Sequence, residues 1–112
     1  MPKPIEPGPS FRENLALLPE ITGVARIDLR DGDGAVVASI PNEPGKQGSV
    51  AVYQYLAQQG GVLDAQVAAI GLALFAEHVP DAQARPGAHP NVDRLLAIAY
   101  GAPPLHLAIV AA

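Results

Sequence analysis

The sequence predicts one α+β domain, and three observations lead to that prediction. Apolar and charged residues alternate from Val24 to Arg30, which is typical of a half-buried strand. An Asp-Gly-Asp-Gly stretch and a second apolar run follow, and together they predict a β-hairpin. The rest of the chain carries helix caps and apolar residues at helical spacing. We therefore expect an N-terminal helix, the hairpin, three further helices and a C-terminal third strand of an antiparallel sheet.

Length and composition place this domain at residues 10–112. A chain of 112 residues is close to the commonest domain size. Four prolines among the first nine residues predict a flexible tail at 1–9. The chain has no cysteine, so disulfides and thiolate metal sites are excluded. It is 49% hydrophobic but only 4% aromatic, which predicts a core built mainly of Leu, Ile, Val and Ala.

The charges argue against nucleic-acid and membrane partners. The formal net charge is −4, and the seven basic residues are scattered, with none between Lys46 and Arg85. Nucleic-acid binding needs clustered cations that displace counterions from phosphates, and an acidic membrane surface needs a similar cluster. The sequence also has no apolar run long enough to span a bilayer and none typical of a signal peptide. We therefore expect a cytoplasmic protein.

A capping box marks the start of the first helix. Ser10 and Glu13 are spaced so that each side chain can accept a hydrogen bond from the other's backbone N–H. Phe11, Leu15 and Leu18 follow at i, i+4 and i+7, which puts them on one helical face. The next residue is a proline, which ends this short amphipathic helix.

The hairpin contains a stretch that could suggest calcium. Asp31-Gly32-Asp33-Gly34 supplies residues that tolerate the positive φ of a tight turn between strands 24–30 and 35–40. An EF-hand loop would need a glutamate at its twelfth position, where this chain has Asn42. We therefore interpret the stretch as a plain turn.

Two helices are expected in the middle of the chain. Ser49 is expected to cap a helix that runs to about Gln59 and ends at Gly60-Gly61. Asp64 is expected to cap the next helix, AQVAAIGLALFAEHV, whose apolar residues lie on nearly every side. A helix that is apolar all round is usually buried, so we expect it at the centre of the core. Alternatively, a second subunit covers one of its faces.

The C-terminal part is expected to hold a loop, a helix and a strand. The segment from Pro80 to Pro90 is polar and contains three prolines, which predicts a loop. Asn91 is expected to cap the last helix, and Gly101 ends it. The apolar stretch 105–110 is predicted to be the third strand, with His106 on its outer face.

The glycine-rich stretch PGKQGSVAVY, which begins at residue 44, is the first candidate site. An anion could bind the exposed N–H groups of the helix start, with Lys46 as the cation among Gly45, Gly48 and Ser49. The P-loop pattern GxxxxGK[ST] is absent, because the lysine precedes the second glycine and no strand leads into the motif. Glycine turns and a serine cap also explain the stretch without a ligand, so both interpretations stay open.

The stretch EHVPDAQARPGAHPNVD, residues 77–93, is the second candidate. His78, Asp81 and His89 are residue types that bind zinc, iron or manganese. No pair shows HExxH or HxH spacing. His89 and Asp93 would share a helical face only if the last helix began earlier than expected, which the intervening proline argues against. Histidine near a helix end is also favourable without a metal, so we expect no cofactor and keep the metal as the alternative.

The sequence offers little for a hydrolytic site. The chain has three serines and one threonine, and Ser10 and Ser49 are expected to cap helices. No GxSxG elbow occurs, and any Ser-His-Asp arrangement would have to be assembled by the fold. Catalytic residues therefore stay unknown from the sequence.

Three pieces of the sequence, PGKQGS, AEH and PGAHPNVDRLL, resemble a small family of bacterial proteins known only as a domain of unknown function. The resemblance covers roughly residues 10–100 and leaves both ends outside. It implies a bacterial, cytoplasmic protein with a compact α+β domain. It implies no activity, substrate or catalytic residue, although both candidate sites lie in the stretches that carry it.

Two functions of different classes follow from these observations. The low charge, the apolar third helix and the apolar C-terminal stretch favour a non-enzymatic protein-interaction domain, which acts as a homodimer or with another protein. The alternative is a small-molecule or metal-dependent enzyme whose site is formed by loops 44–49 and 77–93. This alternative predicts that four side chains converge on one pocket: Lys46, His78, Asp81 and His89.

Overall fold

The computed structural model describes residues 6–112, which form five helices and a four-stranded antiparallel sheet. The helices are α1 Phe11–Leu17, α2 Gln47–Ala57, α3 Ala65–Phe75, α4 His78–Ala84 and α5 Pro90–Ala99. The strands are β1 Val24–Arg30, β2 Val36–Pro41, β3 Val62–Leu63 and β4 Leu105–Ala111, in the order β2-β1-β4-β3. The predicted α+β class is therefore confirmed. The tail predicted at 1–9 lies largely outside the described residues.

The sheet contains the predicted hairpin and the predicted C-terminal strand. In the turn between β1 and β2, Asp31 Oδ1 accepts hydrogen bonds from the backbone N–H groups of Asp33 at 2.9 Å and Ala35 at 3.1 Å. β4 pairs with β1 in antiparallel register, with Ile27 opposite Ile109. His106 is exposed, as expected. The two-residue β3 pairs with β4 and was not predicted, because two residues are too few to show alternation.

α2 lies at the centre of the core, so the prediction that the following apolar helix would be central is wrong. α2 contacts all four strands and also packs against α3. Six of its residues are buried, Tyr53 among them. The outer face of α3 is exposed at Ala69, Ile70 and Ala73. Its alanines are too small to cover the apolar face of the sheet, whereas the valine, tyrosine and leucine side chains of α2 fill that space.

The segment predicted as one helix over 65–79 is two helices. α3 ends at Phe75, and Ala76 adopts a φ of 50°, which interrupts the helical backbone. α4 then begins at His78 and occupies the first part of the segment expected to be a loop from Pro80 to Pro90. Pro80 lies in the first turn of α4, where a backbone N–H has no helical partner and its absence costs little.

Two of the predicted helix caps are wrong. α2 begins at Gln47 after Lys46, so Ser49 lies inside the first turn rather than at the cap. α5 begins at Pro90 after His89, so Asn91 is also inside the first turn. Proline is favoured at the first helical position because it needs no N–H partner there. Pro90 therefore starts α5 instead of delaying it, contrary to the prediction.

The capping box of α1 is half formed. Ser10 Oγ accepts a long hydrogen bond of 3.4 Å from the N–H of Glu13. The second cap comes from another helix boundary, because the N–H of Phe11 donates to Glu77 Oε1 at 2.7 Å. This contact fastens the start of α1 to the segment between α3 and α4.

No helix within residues 6–112 is long and apolar enough to cross a membrane.

Candidate functional site

Residues of both loops, 44–49 and 77–93, line a single cleft of about 690 Å³. We call this space the cleft. Its walls are the start of α2, the start of α5 with the residues before it, one face of α1 and the junction of α3 with α4. The lining residues are Phe11, Leu15, 45–49, Phe75, His78 and 88–92.

The structure brings most of the predicted site residues together. Gly45, Lys46, Gly48 and Ser49, predicted as an anion site, all line the cleft. His78 and His89, predicted as metal ligands, line it as well. Asp81 is not part of the lining and lies behind His89. Three of the four residues expected to converge therefore line one space, and the fourth contacts one of the three.

Aromatic side chains form part of the cleft and were not predicted to belong to a site. The rings of Phe11 and Phe75 stack with centroids 5.3 Å apart and planes 10° from parallel. The ring of His78 stands edge-on to Phe11, with centroids 4.6 Å apart. A Cβ at Gly48 would lie 2.9 Å from Phe11 Cζ, so only glycine fits beside that ring without a shift. The helical spacing of Phe11 identified it as an inward-facing residue, but spacing cannot tell a cleft from a core.

Two helix starts present unpaired N–H groups beside the cleft. Neither Lys46 nor His89, the residues at the two caps, makes a side-chain capping bond. Within residues 6–112, the backbone N–H groups of Gln47, Gly48 and Ser49 have no acceptor, and neither does that of Asn91. Such groups carry partial positive charge at the N-terminus of a helix. The cleft is therefore bordered by hydrogen-bond donors from two helices.

A carboxylate fixes the orientation of the histidine at the start of α5. His89 Nε2 lies 2.5 Å from Asp81 Oδ2. Arg85 binds the same carboxylate through both Nε and Nη2. The guanidinium of Arg85 and the ring of His89 hold the pKa of the Asp81 carboxyl well below its usual range. An ionised Asp81 accepts the hydrogen bond and holds the His89 ring in place.

The predicted metal set is not assembled as a ligand set. No three His, Cys, Asp or Glu side chains within residues 6–112 are arranged to hold a metal ion. The oxygens of Asp81 are taken by Arg85 and His89. The rings of His78 and His89 are neighbours, with centroids 5.3 Å apart, but no third His, Asp or Glu side chain of the described residues completes a site with them.

A buried tyrosine network positions the wall of the cleft at the start of α5. The hydroxyl of Tyr53 donates to the backbone carbonyl of Asn91 at 2.6 Å. Arg94 Nη1 donates to Asn91 Oδ1 at 2.9 Å and to the Tyr53 hydroxyl at 3.2 Å. Burial raises the pKa of Tyr53 to about 12, so this hydroxyl stays neutral at ordinary pH. The network ties α5 to the central helix α2.

The charge of the lining differs from that of the whole chain. The chain has a net charge of −4, yet none of the residues that line the cleft is acidic. Lys46 is the cation of the lining, and its Nζ lies 3.2 Å from Glu43 Oε1 in an exposed pair. Exposed pairs of this kind are weak, so Lys46 can turn toward a ligand at little cost.

A comparison with known families gives one result. A family model described as an uncharacterized protein conserved in bacteria matches residues 11–109. The match covers both candidate loops and every element of the fold except the last two residues of β4. No curated protein and no solved structure matches the chain.

Proposed function

The chain belongs to this bacterial family, DUF2322, and we propose that it binds a small organic anion in the cleft. The observation that carries the proposal is a cleft lined by Lys46 and two uncapped helix starts, with no acidic residue in its lining. Anions are stabilised where unpaired N–H groups and a cation face the same space. In an acidic protein, such a cleft is a selective place for negative charge.

The cleft also has a histidine suited to proton exchange with a bound molecule. His89 is held by Asp81 through one ring nitrogen, which leaves the other nitrogen without a protein partner within residues 6–112. A carboxylate-anchored histidine is a common general acid or base. Anion binding is therefore the first step of the small-molecule enzyme hypothesis, and it can be tested without knowing a reaction.

Thermal unfolding with added anions tests the proposal. A ligand present at about 100 times its Kd stabilises the folded state by about 2.7 kcal/mol, a shift of several degrees in Tm. We expect 3-phenylpropionate to raise Tm above a sodium chloride control of equal ionic strength. The substitution Lys46→Gln should reduce this rise, whereas Arg30→Gln, which removes an exposed cation on the sheet, should not.

Two outcomes would contradict the proposal. One is that 3-phenylpropionate raises Tm no further than the sodium chloride control does. The other is that both variants respond like the unsubstituted protein, because a general salt effect does not depend on Lys46.

We also propose, as a second candidate function, self-association or partner binding through the β2 edge of the sheet. Within the described residues, β2 pairs with β1 alone and exposes Val36 and Val37, which are 48% and 53% accessible. An unpaired strand edge with apolar side chains can be extended by another strand. Size-exclusion chromatography with light scattering should then show a dimer that Val37→Lys converts to a monomer. A monomer at high concentration would contradict self-association.

A further inference from the structure

We propose that the anion is a monocarboxylate that carries an aromatic or similarly flat apolar body, an inference that rests on the proposed anion binding. It follows from three properties of the cleft, which are its size, its aromatic side chains and the number of its cations. Each property argues against a different class of anion as the ligand.

The size of the cleft argues against a lone inorganic ion. Its volume of about 690 Å³ falls within the range of roughly 300–1,000 Å³ that small-molecule sites occupy. A carboxylate or phosphate group alone would fill a small part of that space. The remaining volume is next to apolar side chains, where the body of a ligand would displace water.

The aromatic side chains favour a flat apolar body. Phe11 and Phe75 stack on one another, and His78 stands edge-on to Phe11. Leu15 and Val92 add further apolar residues to the lining. Aromatic rings pair best with other rings in offset or edge-on arrangements. A ligand ring placed among these side chains would extend an aromatic cluster that already exists.

The charge of the lining favours a single negative charge. Lys46 is the one lysine or arginine among the lining residues, and its ammonium is shared with Glu43. A phosphate monoester carries close to two negative charges at neutral pH and is usually held by several cations or a cluster of arginines. A carboxylate needs one charge and two acceptor oxygens. Those oxygens match neighbouring N–H groups in the first turn of α2.

Calorimetric titration with four probes separates these properties. 3-Phenylpropionate has the charge and the ring, acetate has the charge alone, 3-phenylpropanol has the ring alone, and phenyl phosphate has the ring with a doubly charged head. We expect 3-phenylpropionate to bind about tenfold or more tightly than acetate and 3-phenylpropanol, since burying a phenyl group and pairing a charge each contribute that much. It should also bind more tightly than phenyl phosphate, because the lining has one lysine and no arginine to pair with the second negative charge.

Substitutions test whether the ring of the ligand binds beside Phe11 and whether its carboxylate binds beside Lys46. Phe11→Leu keeps an apolar side chain but removes the ring, so it should weaken 3-phenylpropionate and leave acetate unchanged. Lys46→Gln should weaken both carboxylates. Leu17→Ala, at a position 54% exposed on the same helix as Phe11, is the matched control and should change neither. Circular dichroism shows that each variant is folded before it is titrated.

The possible results distinguish failure of this inference from failure of the proposed anion binding. If acetate or phenyl phosphate binds as tightly as 3-phenylpropionate, the inference is overturned while anion binding stands. If the alcohol binds as tightly as the acid, the cleft is apolar rather than anion-selective, and both fail. If no probe binds at millimolar concentration, both fail as well.

Discussion

Replacement of Asn14 by alanine is expected to destabilise the fold, because this side chain fastens α1 to α3. Asn14 is fully buried. Its Oδ1 accepts from the N–H of Gly8 at 2.7 Å, and its Nδ2 donates to the carbonyls of Gly8 at 3.2 Å and Leu74 at 3.0 Å. The Leu74 carbonyl belongs to the last turn of α3, where carbonyls have no helical partner. Asn14 therefore satisfies the buried Leu74 carbonyl and holds the half-buried backbone of Gly8.

The contacts give the size of the effect. Three neutral hydrogen bonds contribute about 1 kcal/mol each, and the small cavity left by the amide adds up to about 1 kcal/mol. Alanine is the better helix former by about 0.6 kcal/mol, which offsets part of the loss. We therefore expect Asn14→Ala to lower the free energy of unfolding by about 2–4 kcal/mol.

Urea unfolding followed by circular dichroism measures this difference. Arg12→Ala, at an exposed position on the same helix, is the control and should stay within about 0.5 kcal/mol of the unsubstituted protein. Asn14→Asp gives a second comparison, because it places a carboxylate against two carbonyls. It should be less stable than Asn14→Ala at pH 7, and the gap should narrow at low pH, where a protonated carboxyl can donate. A loss below about 0.5 kcal/mol for Asn14→Ala would refute the reasoning.

Two further substitutions test the core and the sheet. A Cβ at Gly71 would lie 2.7 Å from Leu95 Cδ1 and 2.9 Å from Leu56 Cδ1, so overpacking of about 1–3 kcal/mol should outweigh the helix gain of about 1 kcal/mol. Gly71→Ala should therefore destabilise the protein in urea. Its cost should be smaller in a Leu95→Ala background, measured against Leu95→Ala alone, because one of the two close contacts is then removed. Stabilisation of the single variant would contradict this. Ser39 Oγ donates to Asp28 Oδ1 at 2.7 Å and lowers the pKa of that carboxyl, so Ser39→Ala should cost about 1–2 kcal/mol at pH 7. The cost should shrink once the pH falls below about 4, the pKa of an aspartate in the unfolded chain, toward the lower pKa of Asp28 in the folded protein, because a protonated Asp28 gains less from the Ser39 hydrogen bond. A cost that stays constant down to pH 3 would argue against the bond.

The sequence predicted the strands better than the helix boundaries, for a physical reason. Alternation from Val24 to Arg30 located β1 correctly. The outer face is less exposed than the charges suggested, because Asp28 is buried and bound by Arg26 and Ser39. Caps depend on one local hydrogen bond that tertiary contacts can replace. Glu77, 66 residues away from Phe11 in sequence, accepts from the N–H of Phe11 at the start of α1, while within residues 6–112 the expected bond from Ser10 N–H to Glu13 is not made. No local pattern contains that information.

The location of the buried helix could not be predicted from apolar content alone. α3 is the more apolar helix, yet its exposed face carries Ala69, Ile70 and Ala73, while α2 with Gln54 and two tyrosines is central. Shape decides the outcome, because larger side chains fill the space against the sheet. Whether a second subunit covers the exposed face of α3 stays a prediction.

The candidate site was predicted in its polar part and missed in its apolar part. Lys46, Ser49 and His89 were recognisable because their residue types suggest ligands. Phe11 and Phe75 were not, since aromatic residues at helical spacing are usually part of a core. Only the tertiary arrangement, which brings loops 44–49 and 77–93 together over α1, shows that these side chains share one cleft.

A two-dimensional ¹H–¹⁵N NMR titration with 3-phenylpropionate tests anion binding in the cleft most directly. We expect the largest shift changes at the backbone amides of residues 45–49 and of Asn91 and Val92, which border the cleft. The amides of the hairpin turn, Gly32 to Gly34, should remain unchanged and serve as the internal control. Saturable changes confined to the cleft would support the proposed function. Changes spread over the sheet, or no change at millimolar concentration, would contradict it.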